Sequence, residues 1–121
     1  YLGKRKNIEN KSELFGKAFE HFIIREVKSI LSYNQSDLDL FYWRSTSMQE
    51  VDLIIGRSLA VEIKSSEKVN ESALKGLKAL KEEGLIKRYI VVSNDRVERK
   101  IDGFEFMHWK SFIKIIAENK F

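Results

Sequence analysis

Two short runs, Glu50-Val51-Asp52-Leu53-Ile54-Ile55 and Leu59-Ala60-Val61-Glu62-Ile63-Lys64-Ser65, are separated only by Gly56-Arg57-Ser58. This stretch constrains the fold more than any other in the chain. Both runs have strand composition, and a three-residue connection containing glycine suits a β-hairpin. Side chains alternate faces along a strand. Glu50, Asp52 and Ile54 are therefore expected on one face of the first strand, with Val51, Leu53 and Ile55 on the other. On the second strand Ala60, Glu62 and Lys64 share a face, opposite Leu59, Val61 and Ile63. Closing the loop at Gly56-Arg57-Ser58 pairs Ile55 with Leu59 and sets Asp52 opposite Glu62. Directly opposed residues carry Cβ atoms roughly 4.5–5.5 Å apart. Two ionised carboxylates at that spacing repel unless a cation lies between them. The plain reading of this face is a solvated hairpin surface, with Lys64 as an ion-pair partner. Apolar runs on both sides of the second strand argue against it. They make that strand central to a sheet, where a mere solvated Glu and Lys are uncomfortable.

The rest of the chain supplies that sheet. Residues 1–11 read as a polar, basic lead-in. Ser12 is the expected N-cap of a helix to about residue 32, with Glu13 in its first turn. Its apolar stripe of Leu14, Phe15, Ala18, Phe19, Phe22, Ile23, Val27, Ile30 and Leu31 reads as core packing. Leu40 to Arg44 is a strand rich in aromatics, and Thr46 to Gln49 a turn. Asn70 caps a second helix, about 71–83, that stops at Gly84. Tyr89 to Val92 is a continuous apolar run suited to a buried strand reached by a helical crossover, and hence parallel to its predecessor. A short strand over Phe104 to Met107 and a helix over Lys110 to Glu118 complete the order αβββαβ, then β and α. The fold class is α/β: one mixed central sheet flanked by helices.

Composition narrows the chemistry. With 121 residues, 43% hydrophobic and 33% charged, the chain fits a single folded domain over 12–121. It lacks Cys, which excludes disulfides and thiolate metal sites, and its two histidines, His21 and His108, are scattered. A metal here would be held by oxygen, which points to Mg²⁺, Mn²⁺ or Ca²⁺. The balance of 22 Lys and Arg against 18 Asp and Glu gives +4, which permits a polyanionic partner without requiring one. No apolar run approaches the roughly 20 residues of a membrane span, and a basic start without an apolar core is no signal peptide. A cytoplasmic setting is expected. The first residue is Tyr rather than Met, and the chain reads as part of a longer protein.

Asp52, followed ten positions later by Glu62-Ile63-Lys64, resembles the PD-(D/E)xK signature of restriction-endonuclease-like nucleases. The element order is similar as well: a first helix, a β-meander bearing the Asp and the Glu-x-Lys, then a helical crossover to a fourth strand. Val51 stands at the Pro position of the named motif, a loose one in that family. Many members add an acidic residue on the first helix, and Glu20 in Gly16-Lys17-Ala18-Phe19-Glu20 corresponds to it. Together with Phe41-Tyr42-Trp43-Arg44 and Ala60-Val61-Glu62-Ile63-Lys64-Ser65-Ser66, these segments resemble a domain that forms the C-terminal part of certain prokaryotic AAA-type ATPases. The chain has no Gly-x-x-x-x-Gly-Lys-Ser/Thr loop, so an ATPase module would lie upstream.

The resemblance implies a three-layer, restriction-endonuclease-like fold and Mg²⁺-dependent hydrolysis of DNA phosphodiesters, with Mn²⁺ as a substitute. Asp52, Glu62 and the backbone carbonyl of Ile63 would hold the metal, and Glu20 would reach it through water or hold a second one. Lys64 would orient or help deprotonate the attacking water, or stabilise the phosphorane-like charge. Glu50 is a candidate accessory group. A homodimer is a further implication. The alternative is a catalytically silent nuclease-fold module for nucleic-acid docking or self-association. Lys75, Lys78, Lys87, Arg88, Arg96, Arg99 and Lys100 are candidate phosphate contacts, although the interspersed Glu71, Glu82, Glu83 and Glu98 make each read first as a solvated charge. His108 beside Trp109 reads as a packing pair, and His21 as a surface residue next to Glu20.

Overall fold

A computed structural model describes residues 11–121, and the expected lead-in lies outside these apart from Lys11, which is already helical. The elements are α1 (Lys11–Tyr33), β1 (Leu40–Arg44), β2 (Glu50–Ile55), β3 (Leu59–Ile63), a 3-10 turn (Glu71–Leu74), α2 (Lys75–Lys81), β4 (Arg88–Ser93), β5 (Arg99–Ile101), β6 (Phe104–His108) and α3 (Trp109–Ala117). The strands form one mixed six-stranded sheet in the order β1-β2-β3-β4-β6-β5. β1, β2 and β3 run antiparallel as a meander. β3, β4 and β6 run parallel, and β5 pairs antiparallel with β6 at the far edge. Among the described residues no helix is long and apolar enough to cross a membrane.

The sheet buries apolar side chains on both faces. On one, Phe19, Ile23, Val27 and Leu31 of α1 and Phe112 and Ile116 of α3 cover Leu53, Ile55, Leu59, Val61, Ile63, Ile90 and Val92. On the other, Ala73, Leu74, Leu77 and Leu80 cover Val51, Ile54, Ala60, Tyr89, Val91, Phe104 and Phe106. The four buried α1 residues recur every fourth position, which is one narrow helical stripe. The expected stripe was wider. Leu14, Phe15 and Phe22 are 55%, 57% and 42% exposed, Phe22 resting edge-on against Trp109, while Ile24 and Ile30 flank the buried line.

Other boundaries shift for local reasons. Lys11 is already helical, so Ser12 lies within the helix rather than capping it. It ends in a Schellman-type cap, with Ser36 N–H donating to the Leu31 carbonyl at 2.9 Å and Gln35 at φ 55°. Asn70 caps as expected, its side chain accepting from Ser72 N–H at 2.9 Å, but the first turn it caps is 3-10 and α2 proper begins at Lys75. β5 was not anticipated. It joins β6 through the two-residue turn Asp102-Gly103, both at positive φ, and Ile101 pairs with Phe104. Asp-Gly is the sequence signal for such a turn.

Candidate functional site

The β2–β3 register is the predicted one: Ile55 pairs with Leu59, Ile54 with Ala60 and Leu53 with Val61. Beyond Leu53 a side chain takes over from the backbone ladder. The Asp52 carboxylate accepts the N–H of Ile63 at 2.8 Å. Against β1, Phe41 pairs with Ile54 but Trp43 with Val51, so β2 carries one residue more than its partner. That bulge falls at Asp52 and Leu53, and bulges of this kind re-aim side chains. It also breaks the expected alternation, since Val51 and Ile54 pack under α2 while Leu53 and Ile55 pack under α1. Helix α2 clamps the start of this strand. A Cβ on Gly76 would lie 1.8 Å from the Glu50 carbonyl oxygen, so only glycine permits the approach.

Glu62 sits on β3, an interior strand between β2 and β4, and pairs with Val91 of β4. Its side chain is 13% exposed. Oε2 meets Lys64 Nζ at 3.3 Å. Oε1 is buried with no hydrogen-bond partner. Desolvation, then the charge of Asp52, pushes the Glu62 carboxyl up to about 8. Asp52 is also raised, by burial first, with the Ile63 N–H and Lys64 opposing. The sheet thus holds two coupled carboxyl groups, one with an unsatisfied buried oxygen.

Helix α1 reaches this end of the sheet. A Cβ on Gly16 would come within 3.7 Å of Ser65 Oγ, just past the Glu-x-Lys segment. One turn later, half-buried Glu20 feels Asp52: burial and then the Asp52 charge raise its carboxyl. Among the described residues no three carboxylate or imidazole side chains converge into a cluster able to hold a metal. Asp52 and Glu62 form the pair, and Glu20 stands back from it.

The remaining candidates separate by their partners. Glu50 is held from β1, where its carboxylate accepts from Tyr42 Oη at 2.7 Å and Arg44 Nε at 2.9 Å, and its charge still contributes to raising Asp52 and Glu20. The same Tyr and Arg donors lower its pKa. Arg88 grips Glu105 at 2.6 and 3.0 Å. Arg99 bonds the carbonyls of Val69 and Val97 and lies over the Phe106 ring. Both are framework residues rather than free phosphate contacts. Lys75, Lys78, Lys87, Arg96 and Lys100 are exposed. His108 is buried and caps α3 through Nδ1, which accepts from Lys110 N–H at 3.2 Å, and its ring lies 5.8 Å from Trp109. His21 is exposed. Lys68, which the sequence reading passed over, shares a cleft with Lys64.

The chemistry of the donor set fits a hard divalent cation. Carboxylate oxygens suit Mg²⁺ or Mn²⁺, and an orphaned buried oxygen beside a second carboxyl is the arrangement a cation would satisfy. No curated protein and no solved structure matches the chain significantly. The model of one protein family does match, over residues 15–112, a span that includes Glu20, Asp52, Glu62 and Lys64; the chain belongs to that family, described as Domain of unknown function (DUF4143).

Proposed function

We propose that this chain is a metal-dependent nuclease domain of restriction-endonuclease-like layering, hydrolysing DNA phosphodiester bonds and attached to an AAA-type ATPase. One observation carries the reading: on an interior strand, Glu62 has an orphaned buried oxygen next to Asp52 and an amine 3.3 Å away on Lys64. Burying such a group without compensation costs roughly 1–3 kcal/mol, so an unpaired one calls for an explanation. Helices on both faces of a mixed sheet, with the Asp and the Glu-x-Lys on the meander before the crossover, support the same reading.

Asp52, Glu62 and the Ile63 carbonyl would hold Mg²⁺, with Glu20 reaching it through water. When bound, the ion supplies positive charge to a non-bridging phosphate oxygen. The residues of the chain do the rest. The Ile63 N–H holds the Asp52 carboxylate against β3, the strand that carries Glu62. Glu62, whose carboxyl burial and Asp52 push up, would give up its proton to hold a cation. Lys64 is held by Glu62 on one side and 44% exposed, free to hydrogen-bond an attacking water or the charge that builds on the phosphoryl group.

Plasmid nicking tests this directly. With Mg²⁺ or Mn²⁺ the wild type is expected to convert supercoiled DNA to open circles, and Asp52→Ala and Lys64→Ala to lose at least about 10²-fold in rate. Equal activity in Asp52→Ala would refute the assignment. A wild type that binds DNA without cutting it would favour the docking module instead.

A further inference from the structure

Two clefts open side by side at the carboxyl ends of β3 and β4. The smaller, about 270 Å³, is lined by Lys64, Ser66, Lys68, Asn70 and Ser72 with two apolar neighbours, so its described lining carries amines, hydroxyls and an amide but no carboxylate. The larger, about 560 Å³, begins where this one ends, at Lys68 and Val69, and runs on to Arg96. Its wall also holds Glu67 and Asp95. Asp95 is committed to the framework: it accepts the N–H groups of Val69 and Val97 at 3.1 and 2.9 Å and meets Arg99 at 3.4 Å. Asn94 adds two bonds, from its N–H to the Ser66 carbonyl at 3.1 Å and from Nδ2 to the Ser65 carbonyl at 3.0 Å. The loop after β3 and the loop after β4 are therefore tied into one floor. Lys68 and Arg96 stand exposed above it, neither in an ion pair with a described residue. Lys64 is common to the small cleft and the carboxylate pair.

We propose that the small cleft seats a backbone phosphate of a polynucleotide next to the one attacked at Asp52 and Glu62. Lys68 is its principal cation, and the strand continues along the larger cleft past Arg96. This rests on the nuclease reading for the identity of the ligand. A rigid floor, hydroxyl and amide donors, and cations spaced along an open-ended groove fit a repeating phosphate chain better than a single enclosed anion. The sheet also gives a control. Lys87, equally exposed, lies at the opposite end of the sheet, where its N–H meets the Arg57 carbonyl at 3.2 Å.

The test is fluorescence anisotropy with a labelled oligonucleotide, single-stranded and duplex, on the 121-residue chain with a chelator present, so that no cutting is involved. Lys68→Ala is expected to weaken binding about 5- to 10-fold near 0.1 M salt and to reduce the salt slope by about 0.7–0.9. Lys87→Ala should change affinity less than about twofold, since it removes a charge far from the groove. Unchanged binding in Lys68→Ala, or an equal loss in Lys87→Ala, overturns the proposal. So does displacement of the oligonucleotide by inorganic phosphate beyond the effect of chloride at equal ionic strength, which would mark a free-anion site. Nicking is read separately. A chain that fails to cut yet loses binding in Lys68→Ala keeps the groove and loses the nuclease reading.

Discussion

Glu62 and Glu105 are two glutamates on the same sheet, almost equally hidden, and they behave in opposite ways. Glu105 on β6 is 18% exposed and is gripped by both arms of Arg88, whose hydrogen bonds lower its pKa. Glu62 on β3 is 13% exposed, keeps one oxygen without a partner, and is pushed up to about 8. Burial alone therefore does not set the fate of a carboxylate. Desolvation is the larger cause at Glu62, and the nearest charge adds to the difference: a fixed guanidinium for Glu105, and for Glu62 a second carboxyl, Asp52, offset only by a half-exposed lysine. The first is a finished ion pair that ties β4 to β6. The second is unfinished, and a divalent cation would complete it.

The comparison can be broken at several points. The largest effect belongs to Asp52→Ala, where the loss of at least about 10²-fold in metal-dependent nicking should come with an intact fold by circular dichroism. Next is Arg88→Ala. It strands a mostly buried Glu105 and is expected to cost about 2–3 kcal/mol in urea unfolding, discounted from a fully buried pair because Arg88 is one-third exposed. No change there would mean that Glu105 is not the finished partner described.

Glu62→Gln should act the other way in metal-free protein. The folded-state pKa of Glu62, about 8, lies above its ordinary 4.5. Between these values the folded chain keeps a proton that the unfolded chain has released, so stability is fully present below about pH 4.5 and is lost as pH rises through about 8. Glutamine has no proton to lose. The variant should gain on wild type by up to about 4–5 kcal/mol near pH 9 and by under about 1 kcal/mol near pH 5, read from thermal unfolding across that range. A constant difference at all pH values would show that Glu62 is not held protonated by the fold.

Much of this was legible in the chain. The hairpin register follows from the length of Gly56-Arg57-Ser58 and the alternation beside it, and the parallel β4 from an apolar run after a helix. Other features depend on contacts that sequence spacing does not carry. The bulge at Asp52 arises from how β1 lies against β2 and cannot be read from either strand alone. Arg88 and Glu105 are 17 residues apart, and only the β4–β6 pairing shows that one neutralises the other. Arg99 likewise becomes a framework residue through Val69, 30 positions away. The β5–β6 hairpin is a different case, since Asp102-Gly103 is a local signal for it. In α1, periodicity marks which residues could face a core, and the fold buries one line of them, Phe19, Ile23, Val27 and Leu31.

Titration of the 121-residue chain with Mn²⁺ by calorimetry, near pH 7 and in buffers of different ionisation enthalpy, tests the central claim most directly. With Glu62 at about 8, binding at a single site should release close to one proton, and Glu62→Gln should bind far more weakly with no such release. Equal binding in Glu62→Gln, or binding with no proton released, would contradict the pairing of Asp52 and Glu62 around a cation.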